Sequence, residues 1–553
     1  MWKARNAEFE IYDGHTPIVE HLARVRGIAD VHRYLNPPLS DQHSPTLIRN
    51  MQQAADTIMD AVNSDDRICI AGDSDADGVT SLAIMYNFLR RKGANVYFTY
   101  SQRSAGHGIH LHLPMIEPRT KLLLILDSST NDVDTCARLV GSAGHAEDSS
   151  HTVGSIIVID HHVVTDPNPH VLLVNPQNDD SPNKQLCTAA LVYKLVQTAC
   201  PEIASDYVDL AGVGLYADQM CMLEPENRSI VMHSLRNIRN PGLRRILEAK
   251  NRVPPYTCRD YAFTLSPTIN SATRLDRIEI AIAALTCSED EVSALVSALY
   301  ALNARRKQLT ADWMGSIDIV TTPTSATCVV VDNRIGAGFK GLIAMCVAQD
   351  QMLSSVLCVS ESRENSAVLV GSFRSNIKLM SVLNTIPEVQ TAVGHEQAGG
   401  CSFLKSDLDI VRKKLESRVV DITKCADNKH MVFDTRVETC LSTAQVMDIE
   451  AFSRVIGKNC DEPRFVFPDM YIHRETIVGA KQNTLQMKCM SSYDTSLINA
   501  VRFNMSQSDL AQYARGPNID ILGTIELNTW TNRYSDQTTT CQQIRMVTHR
   551  NCV

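Results

Sequence analysis

Asp73-Ser74-Asp75-Ala76-Asp77-Gly78 follows directly on the apolar run Ile68-Cys69-Ile70-Ala71. The pattern returns twice. Leu122-Leu123-Leu124-Ile125-Leu126 leads into Asp127, and Ile156-Ile157-Val158-Ile159 leads into Asp160-His161-His162. A further carboxylate, Asp218, ends the helical segment Ser205 to Asp218. Short apolar runs bounded by turn signals and alternating with helical patterns read as buried parallel strands. Open α/β sheets gather their functional groups at the carboxyl ends of such strands. Acidic clusters and a histidine pair placed there repel one another unless cations hold them, so the economical reading is a two-metal phosphoesterase centre.

Each cluster taken singly is weaker. Asp73, Asp75 and Asp77 alternate at spacing two before a glycine, which also suits a calcium-type loop or a solvated turn. An EF-hand needs further oxygen ligands and a terminal Glu, and Leu82 to Leu89 is apolar instead. Asp127 and Asp218 would each pass as a helix cap or a surface carboxylate. Asp160 beside two histidines is more telling, because a carboxylate can fix the tautomer of a neighbouring imidazole. Oxygen-rich ligation with one or two imidazoles suits Mn²⁺ or Mg²⁺. No Walker A loop and no Ser-His-Asp constellation competes.

The 553 residues exceed one hydrophobic core and predict three or four domains. Hydrophobic content of 44% and charged content of 21% are those of an ordinary globular chain. No apolar run reaches transmembrane length, and the N-terminal residues lack the apolar core of a signal peptide. The 17 cysteines are scattered without a CxxC pair, which fits a reduced cytosol. A net charge of −9 argues only weakly against a nucleic-acid partner, since bound cations reverse the local sign and basic residues can line one groove.

Along the chain, residues 1 to about 62 read as helical, with a stop at Asn36-Pro37-Pro38. Gly78 opens a helix closed by Gly93, and Asn95 to Tyr100 is the next strand, leading into the Gly-rich basic loop Arg103-Ser104-Ala105-Gly106-His107-Gly108-Ile109. Gly141 to Gly154 reads as an exposed loop. Glu224 to Lys250 and Ile278 to Met314 read as helical, the latter as one extended bridge carrying Asn303-Ala304-Arg305-Arg306-Lys307. A second α/β unit begins near Ala326. From about Lys424, short strand-like runs suggest a small β-barrel, clearest at Ile519 to Trp530 and Gln537 to Val547.

These motifs, in this order, resemble the DHH phosphoesterase superfamily and, within it, the RecJ-like 5′→3′ single-strand DNA exonucleases. Asp73 to Gly78 is similar to the family's first motif, Asp127 to its second, Asp160-His161-His162 to its third and Asp218 to its fourth. Gly371-Ser372-Phe373-Arg374 and Gly394-His395 to Gly400 resemble the DHH-associated domain, and Ile521 to Trp530 resembles the OB-type barrel. The implied fold is α/β: a DHH catalytic domain with a parallel sheet and helical lead-in (1–277), a connecting helix (278–318), a smaller DHH-associated α/β domain (319–423) and an OB-like barrel (424–553).

The resemblance implies that Asp73, Asp75, Asp77, Asp127, His161 and Asp218 hold two divalent cations, Mn²⁺ or Mg²⁺. His162, with Asp160, would act at the scissile phosphate. Arg103, Arg274, Ser372 and Arg374 would cradle strand phosphates including the 5′ end, and His395 would lie in the groove. Arg forks suit phosphate bidentately. Trp530, Tyr534 and Tyr471 are stacking candidates, although barrel core is the ordinary role for each. The expected activity is 5′→3′ hydrolysis of single-stranded DNA to 5′-mononucleotides, in recombination, repair or phage DNA metabolism. Hydrolysis of short oligonucleotides or cyclic dinucleotides and a non-catalytic replication scaffold are the other readings. The expected protein is a cytoplasmic monomer, of host or phage origin, with a single-strand-binding protein or helicase as possible partner. Departures from the family pattern fall at Ser74, where the family has Tyr, at His107 and Ile109 in a GYGL-like loop, at Thr268 and Thr273, and at Val393.

Overall fold

The computed structural model describes residues 2–141, 152–178, 180–322, 325–425, 431–479, 482–493, 496–505, 518–531 and 538–551. Most of the predicted loop Gly141 to Gly154 lies outside them. The chain divides into two units, one of His43–Met220 with His233–Asn428, the other of Met1–Gln42, Cys221–Met232 and Lys429–Val553.

The first unit is built on a five-stranded sheet ordered Val96–Tyr100, Ile68–Gly72, Leu122–Leu126, Ser155–Ile159, Leu172–Val174. Every neighbouring pair is parallel. Residues Ile68 to Gly72 and Leu122 to Leu126 are buried throughout, because helices cover both faces of such a sheet and each strand must be apolar on both sides. Helices Ala76–Arg91, Thr188–Ala199 and Val208–Ala217 pack on one another. Elsewhere Cys69, Ala71, Leu123, Ile125, Ile156 and Val158 share a core with Cys136 and Leu139 of the helix Val133–Leu139. In sheet order the chain runs second, first, third, fourth, fifth, so the crossovers reverse direction between Ile68–Gly72 and Leu122–Leu126. That switch point opens a crevice at the strands' carboxyl ends.

A second sheet in this unit is ordered Val389–His395, Ala398–Leu404, Val368–Ser375, Ser355–Glu361, Thr327–Val331. Only its last pair is parallel. Val329, Leu357, Leu369, Phe373 and Phe403 pack there against Val411, Leu415 and Val419 of the helix Leu408–Cys425. The predicted bridge Ile278 to Met314 is two helices, Ile278–Thr286 and Val292–Met314. Cys287 is extended (φ −78°, ψ 168°), and the acidic run Glu289-Asp290-Glu291 suits the start of a new helix. Likewise Glu224 to Lys250 is broken: Pro225–Arg236 is followed by Pro241–Glu248, with Asn240 capping the second helix ahead of Pro241.

The other unit corrects the expected domain boundaries. The sequence places residues 1–42 in the catalytic domain, yet Trp2–Ala4 pairs in parallel with Met431–Phe433. The helical reading of residues 1 to 62 omits this strand, which is too short to show a period. Phe465–Val478, Thr484–Ser491, Leu497–Arg502, Thr538–Asn551 and Asn518–Thr531 pair in that order, and Phe465–Val478 also pairs with Asn518–Thr531. The pairing therefore closes these five strands into a barrel, as in an OB-fold.

Asp434, with a fully buried side chain, ties the N-terminal segment to this unit. Its Oδ1 accepts from Arg5 Nε at 2.9 Å and Arg26 Nε at 2.8 Å, and its Oδ2 from Arg26 Nη2 and the Arg464 N–H, both at 2.9 Å. Removing one member of a buried ion pair leaves its partners desolvated and unmatched. Asp434→Asn is expected to destabilise this unit by about 3 kcal/mol, read as a lowered denaturation midpoint in urea.

Candidate active site

The sheet ladder continues one residue past its strands. The Asp73 N–H donates to Leu126 O at 3.3 Å, the Asp127 N–H to Ile159 O at 3.0 Å, and the Asp160 N–H to Val174 O at 3.1 Å. Three aspartates thus stand side by side on the ends of three adjacent strands. At Asp127 the chain turns sharply out of the sheet with φ +67°, and Ser129 follows at +70°. Left-handed backbone at such residues costs about 1–3 kcal/mol each and persists where the surroundings enforce it.

The remaining ligand candidates come from helix ends. Asp75 caps the helix Ala76–Arg91, accepting from the N–H groups of Asp77 (2.9 Å) and Gly78 (3.2 Å). This turn folds so closely onto the strand end that a Cβ on Gly78 would lie 2.5 Å from Asp73 O, which explains the glycine of the motif. The Asp77 carboxylate accepts from the N–H groups of Thr188 (2.8 Å) and Ala189 (2.9 Å), at the start of the helix Thr188–Ala199. Asp218 caps the carboxyl end of Val208–Ala217. His161 Nε2 reaches toward three of these carboxylates, 3.3 Å from Asp218 Oδ2, 3.5 Å from Asp127 Oδ1 and 4.0 Å from Asp77 Oδ2.

Two sets of donor atoms within coordinating range emerge, Asp73/Asp75/Asp127 and Asp77/His161/Asp218, and Asp127 also groups with Asp160, His161 and His162. Asp127 therefore adjoins both the carboxylate-only set and the imidazole-containing one. Burial pushes its pKa well above the ordinary carboxylate range, reinforced by the charges of Asp77, Asp75, Asp73 and Asp218. Asp77 is raised as well, again by burial first. Burial lowers the His161 pKa, aided by the charge of His162, which leaves a neutral imidazole suited to bind a metal. So many carboxylates at the end of a buried sheet fit divalent cations, and the oxygen-rich donor set with one imidazole matches Mn²⁺ or Mg²⁺.

Asp160 is employed differently. Its Oδ1 accepts from His162 Nδ1 (2.7 Å) and the His161 N–H (2.7 Å), and its Oδ2 from Thr130 Oγ1 (2.6 Å). Asn175 Nδ2 supports this arrangement by donating to Thr130 Oγ1 (3.2 Å) and His162 O (2.9 Å). Burial opposes charge on His162, but the attraction and hydrogen bond of Asp160 outweigh it, and the pKa rises to about 9. His162 thus presents a cationic, oriented imidazolium. The His395 ring stacks on it, with centroids 6.4 Å apart and planes 18° from parallel.

Arginines gather beside the carboxylates. Arg103 Nη1 donates to Ser74 O (3.3 Å), Arg274 Nη1 to Gly338 O (2.6 Å) and Arg374 Nη1 to Phe373 O (2.7 Å). Burial pushes the Arg274 guanidinium down to about 9, helped by the charges of Arg103, Arg374 and Arg306. Mutual repulsion of this kind is relieved when an anion binds. Ser372 precedes Arg374 by two residues and shares its face of the strand Val368–Ser375.

Sequence reasoning misses several supporting residues. Arg306 lies in the recognised basic run, whereas Thr188, whose hydroxyl donates to Asp127 Oδ1 at 3.0 Å, merely opens a helix and gives no signal. Thr130 and Asn175 likewise acquire roles only through the fold. His107 stands out in the sequence only as a departure from pattern, yet its Nδ1 lies 2.8 and 3.0 Å from the two oxygens of Asp73. On the barrel, Tyr471 and Trp530 are 45% and 49% exposed, so the core role expected for them does not hold. Tyr534 lies outside the described residues.

Beneath the site, Gly214 packs so tightly that an added Cβ would meet Ala189 Cβ at 2.5 Å, Asp77 Oδ1 at 2.8 Å and Thr80 Oγ1 at 2.9 Å. Gly214→Ala is expected to displace Asp77 at an overpacking cost of about 1–3 kcal/mol. Calorimetric titration with Mn²⁺ should then show affinity reduced by roughly 10-fold or more, with the circular dichroism spectrum retained.

The family model for the DHH family, N-terminal domain, matches residues 67–215, and that for the RecJ OB domain matches residues 437–540. The single-stranded-DNA-specific exonuclease RecJ of Bacillus subtilis is 24% identical over 548 residues, covering 94% of this chain and 67% of that protein. A putative SPbeta prophage-derived single-strand DNA-specific exonuclease of Bacillus subtilis, YorK, is 23% identical over 510 residues, covering 84% of this chain and 85% of that one. Among solved structures, RecJ of Thermus thermophilus in complex with Mn²⁺ superposes with a TM-score of 0.74 at 22% identity, over 97% of this chain and 76% of that chain. Its likeness is one of fold, and it extends through both α/β sheets and the barrel. The chain therefore carries a DHH-family N-terminal domain, whose sheet bears the acidic cluster at its strand ends, with a RecJ OB domain following, and is RecJ-like in fold.

Proposed function

We propose that the protein is a metal-dependent 5′→3′ exonuclease that hydrolyses single-stranded DNA to 5′-mononucleotides. The observation that carries this reading is the convergence of two cation-binding donor sets, adjoining at Asp127, with the arginine group of Arg103, Arg274, Arg306 and Arg374. The relatives named as single-strand DNA exonucleases support the substrate. Their Thermus counterpart with Mn²⁺ supports the ion.

In this reading Asp73, Asp75 and Asp127 would hold one divalent ion, and Asp77, His161 and Asp218 would hold the second. Bound there, the ions would supply Lewis acidity toward the phosphodiester and lower the pKa of the attacking water. The chain's own residues do the rest. Asp160 fixes the His162 ring through Nδ1, leaving Nε2–H to donate to a phosphoryl oxygen as negative charge develops. His395, stacked on that ring, borders the path of the strand. Arg103, Arg274 and Arg374, with the hydroxyl of Ser372, hold the terminal 5′ phosphate, which sets polarity and restricts cleavage to chain ends. Tyr471 and Trp530 offer exposed rings on which bases can stack.

Every carboxylate and imidazole of the ligand set is present, which favours an enzyme over a replication scaffold. The barrel favours long strands over cyclic dinucleotides or short oligomers. DNA recombination, repair or phage DNA metabolism is the corresponding setting. Among the described residues no helix is long and apolar enough to cross a membrane. Action as a cytoplasmic monomer, alongside a single-strand-binding protein or helicase, completes the reading.

Single-stranded DNA labelled at the 5′ or the 3′ end, digested with Mn²⁺, tests the proposal. Mononucleotides should leave the 5′ end first, and Asp127→Asn should reduce the rate by roughly 1,000-fold. Release from the 3′ end, or cleavage confined to very short oligomers, would overturn it. Arg374→Ala should raise KM for 5′-phosphorylated strands by about 10- to 100-fold, the loss of a charge-assisted hydrogen bond, with little change for 5′-hydroxyl strands.

A further inference from the structure

His107 lies in the loop at which the chain departs from the family's pattern, and the loop is constructed to present it. Gly106 and Gly108 flank it at φ +102° and +113°, backbone that a side chain rarely adopts. A Cβ on Gly108 would also lie 2.9 Å from Asp132 Oδ2. Beyond the loop, Ile109 is fully buried, and its N–H donates to Ser129 Oγ (2.9 Å) and Asp132 Oδ2 (3.2 Å). On the near side, the Ser104 N–H donates to Asp276 Oδ1 at 3.1 Å. The loop is therefore pinned at both ends, with the imidazole between them.

We infer that His107 is a positioning residue for Asp73: its Nδ1–H grips the carboxylate from outside the ligand set and holds its plane in one orientation. This rests on the reading of Asp73 as a metal ligand. The contact is made to both oxygens, at 2.8 and 3.0 Å, so rotation of the carboxylate about its own axis is opposed. Asp73 accepts no other side-chain hydrogen bond among the described contacts, whereas Asp75, Asp77 and Asp127 are each held by the helix ends described above. Without His107 this strand-end aspartate would lack a side-chain restraint. Partners behind metal ligands typically change affinity by about 10- to 100-fold.

Three variants in the full-length protein, followed by Mn²⁺ titration calorimetry and by thermal melting in the absence of metal, test the assignment. His107→Phe keeps the bulk and removes the donor. His107→Asn carries an amide N–H at the reach of Nδ1. Asp73→Asn serves as the ligand control. His107→Phe is expected to weaken one of the Mn²⁺ binding steps by about 10-fold or more without lowering the melting temperature, and His107→Asn to recover most of that loss. Unchanged Mn²⁺ affinity in His107→Phe would overturn the inference. Equal losses in His107→Phe and His107→Asn would overturn it in favour of direct coordination by the imidazole. Should Asp73→Asn bind Mn²⁺ like the wild type, the reading of Asp73 as a ligand fails, a result distinct from either.

Discussion

Carboxylate repulsion at the end of a buried parallel sheet is the constraint on which this protein turns. Asp73, Asp127 and Asp160 occupy adjacent strand ends, and Asp75, Asp77 and Asp218 arrive from helix termini onto the same place. Low dielectric surroundings magnify their mutual energy. The fold meets this partly with its own dipoles: N–H groups at one helix start face Asp77, and those of another face Asp75. Asp127 receives one hydroxyl and remains strongly biased toward protonation. A site of this kind is stable in its ionised form only with cations, so metal binding and the integrity of the sheet's end are coupled.

The histidine pair shows how neighbouring residues of one type acquire opposite roles. His161 is buried among carboxylates, and desolvation lowers its pKa and favours the neutral ring. His162, one residue on, is turned outward and bound to Asp160, whose charge and hydrogen bond raise its pKa to about 9 against the effect of burial. The difference lies in backbone direction after a strand end, where successive side chains diverge. Positive charge on the same unit is concentrated nearby, in arginines drawn from a loop, two helices and a strand of the second sheet. A chain with net charge −9 can thus still concentrate positive charge at one place beside its acidic cluster.

Much of this is legible in the sequence. Uninterrupted apolar runs ending in Asp specify parallel strands and the edge at which the site lies, because a strand buried on both faces leaves no room for polar residues until it emerges. The cluster of carboxylates and imidazoles gathered there can be read for the same reason: buried charges have few purposes. The helix broken at Cys287 and the one interrupted before Pro241 are less legible, since periodicity tolerates a short gap that local backbone geometry does not.

What the sequence determined by itself was therefore the sheet, its functional edge and the residue types gathered there, all consequences of local pattern and of the cost of burying charge. Tertiary structure alone decided the rest. It attached residues 1–42 to the C-terminal barrel through Asp434, recruited Thr188 and Arg306, and set His107 against Asp73. These are pairings between residues tens to hundreds of positions apart. They depend on how strands are ordered and helices capped, and no periodicity along the chain encodes them.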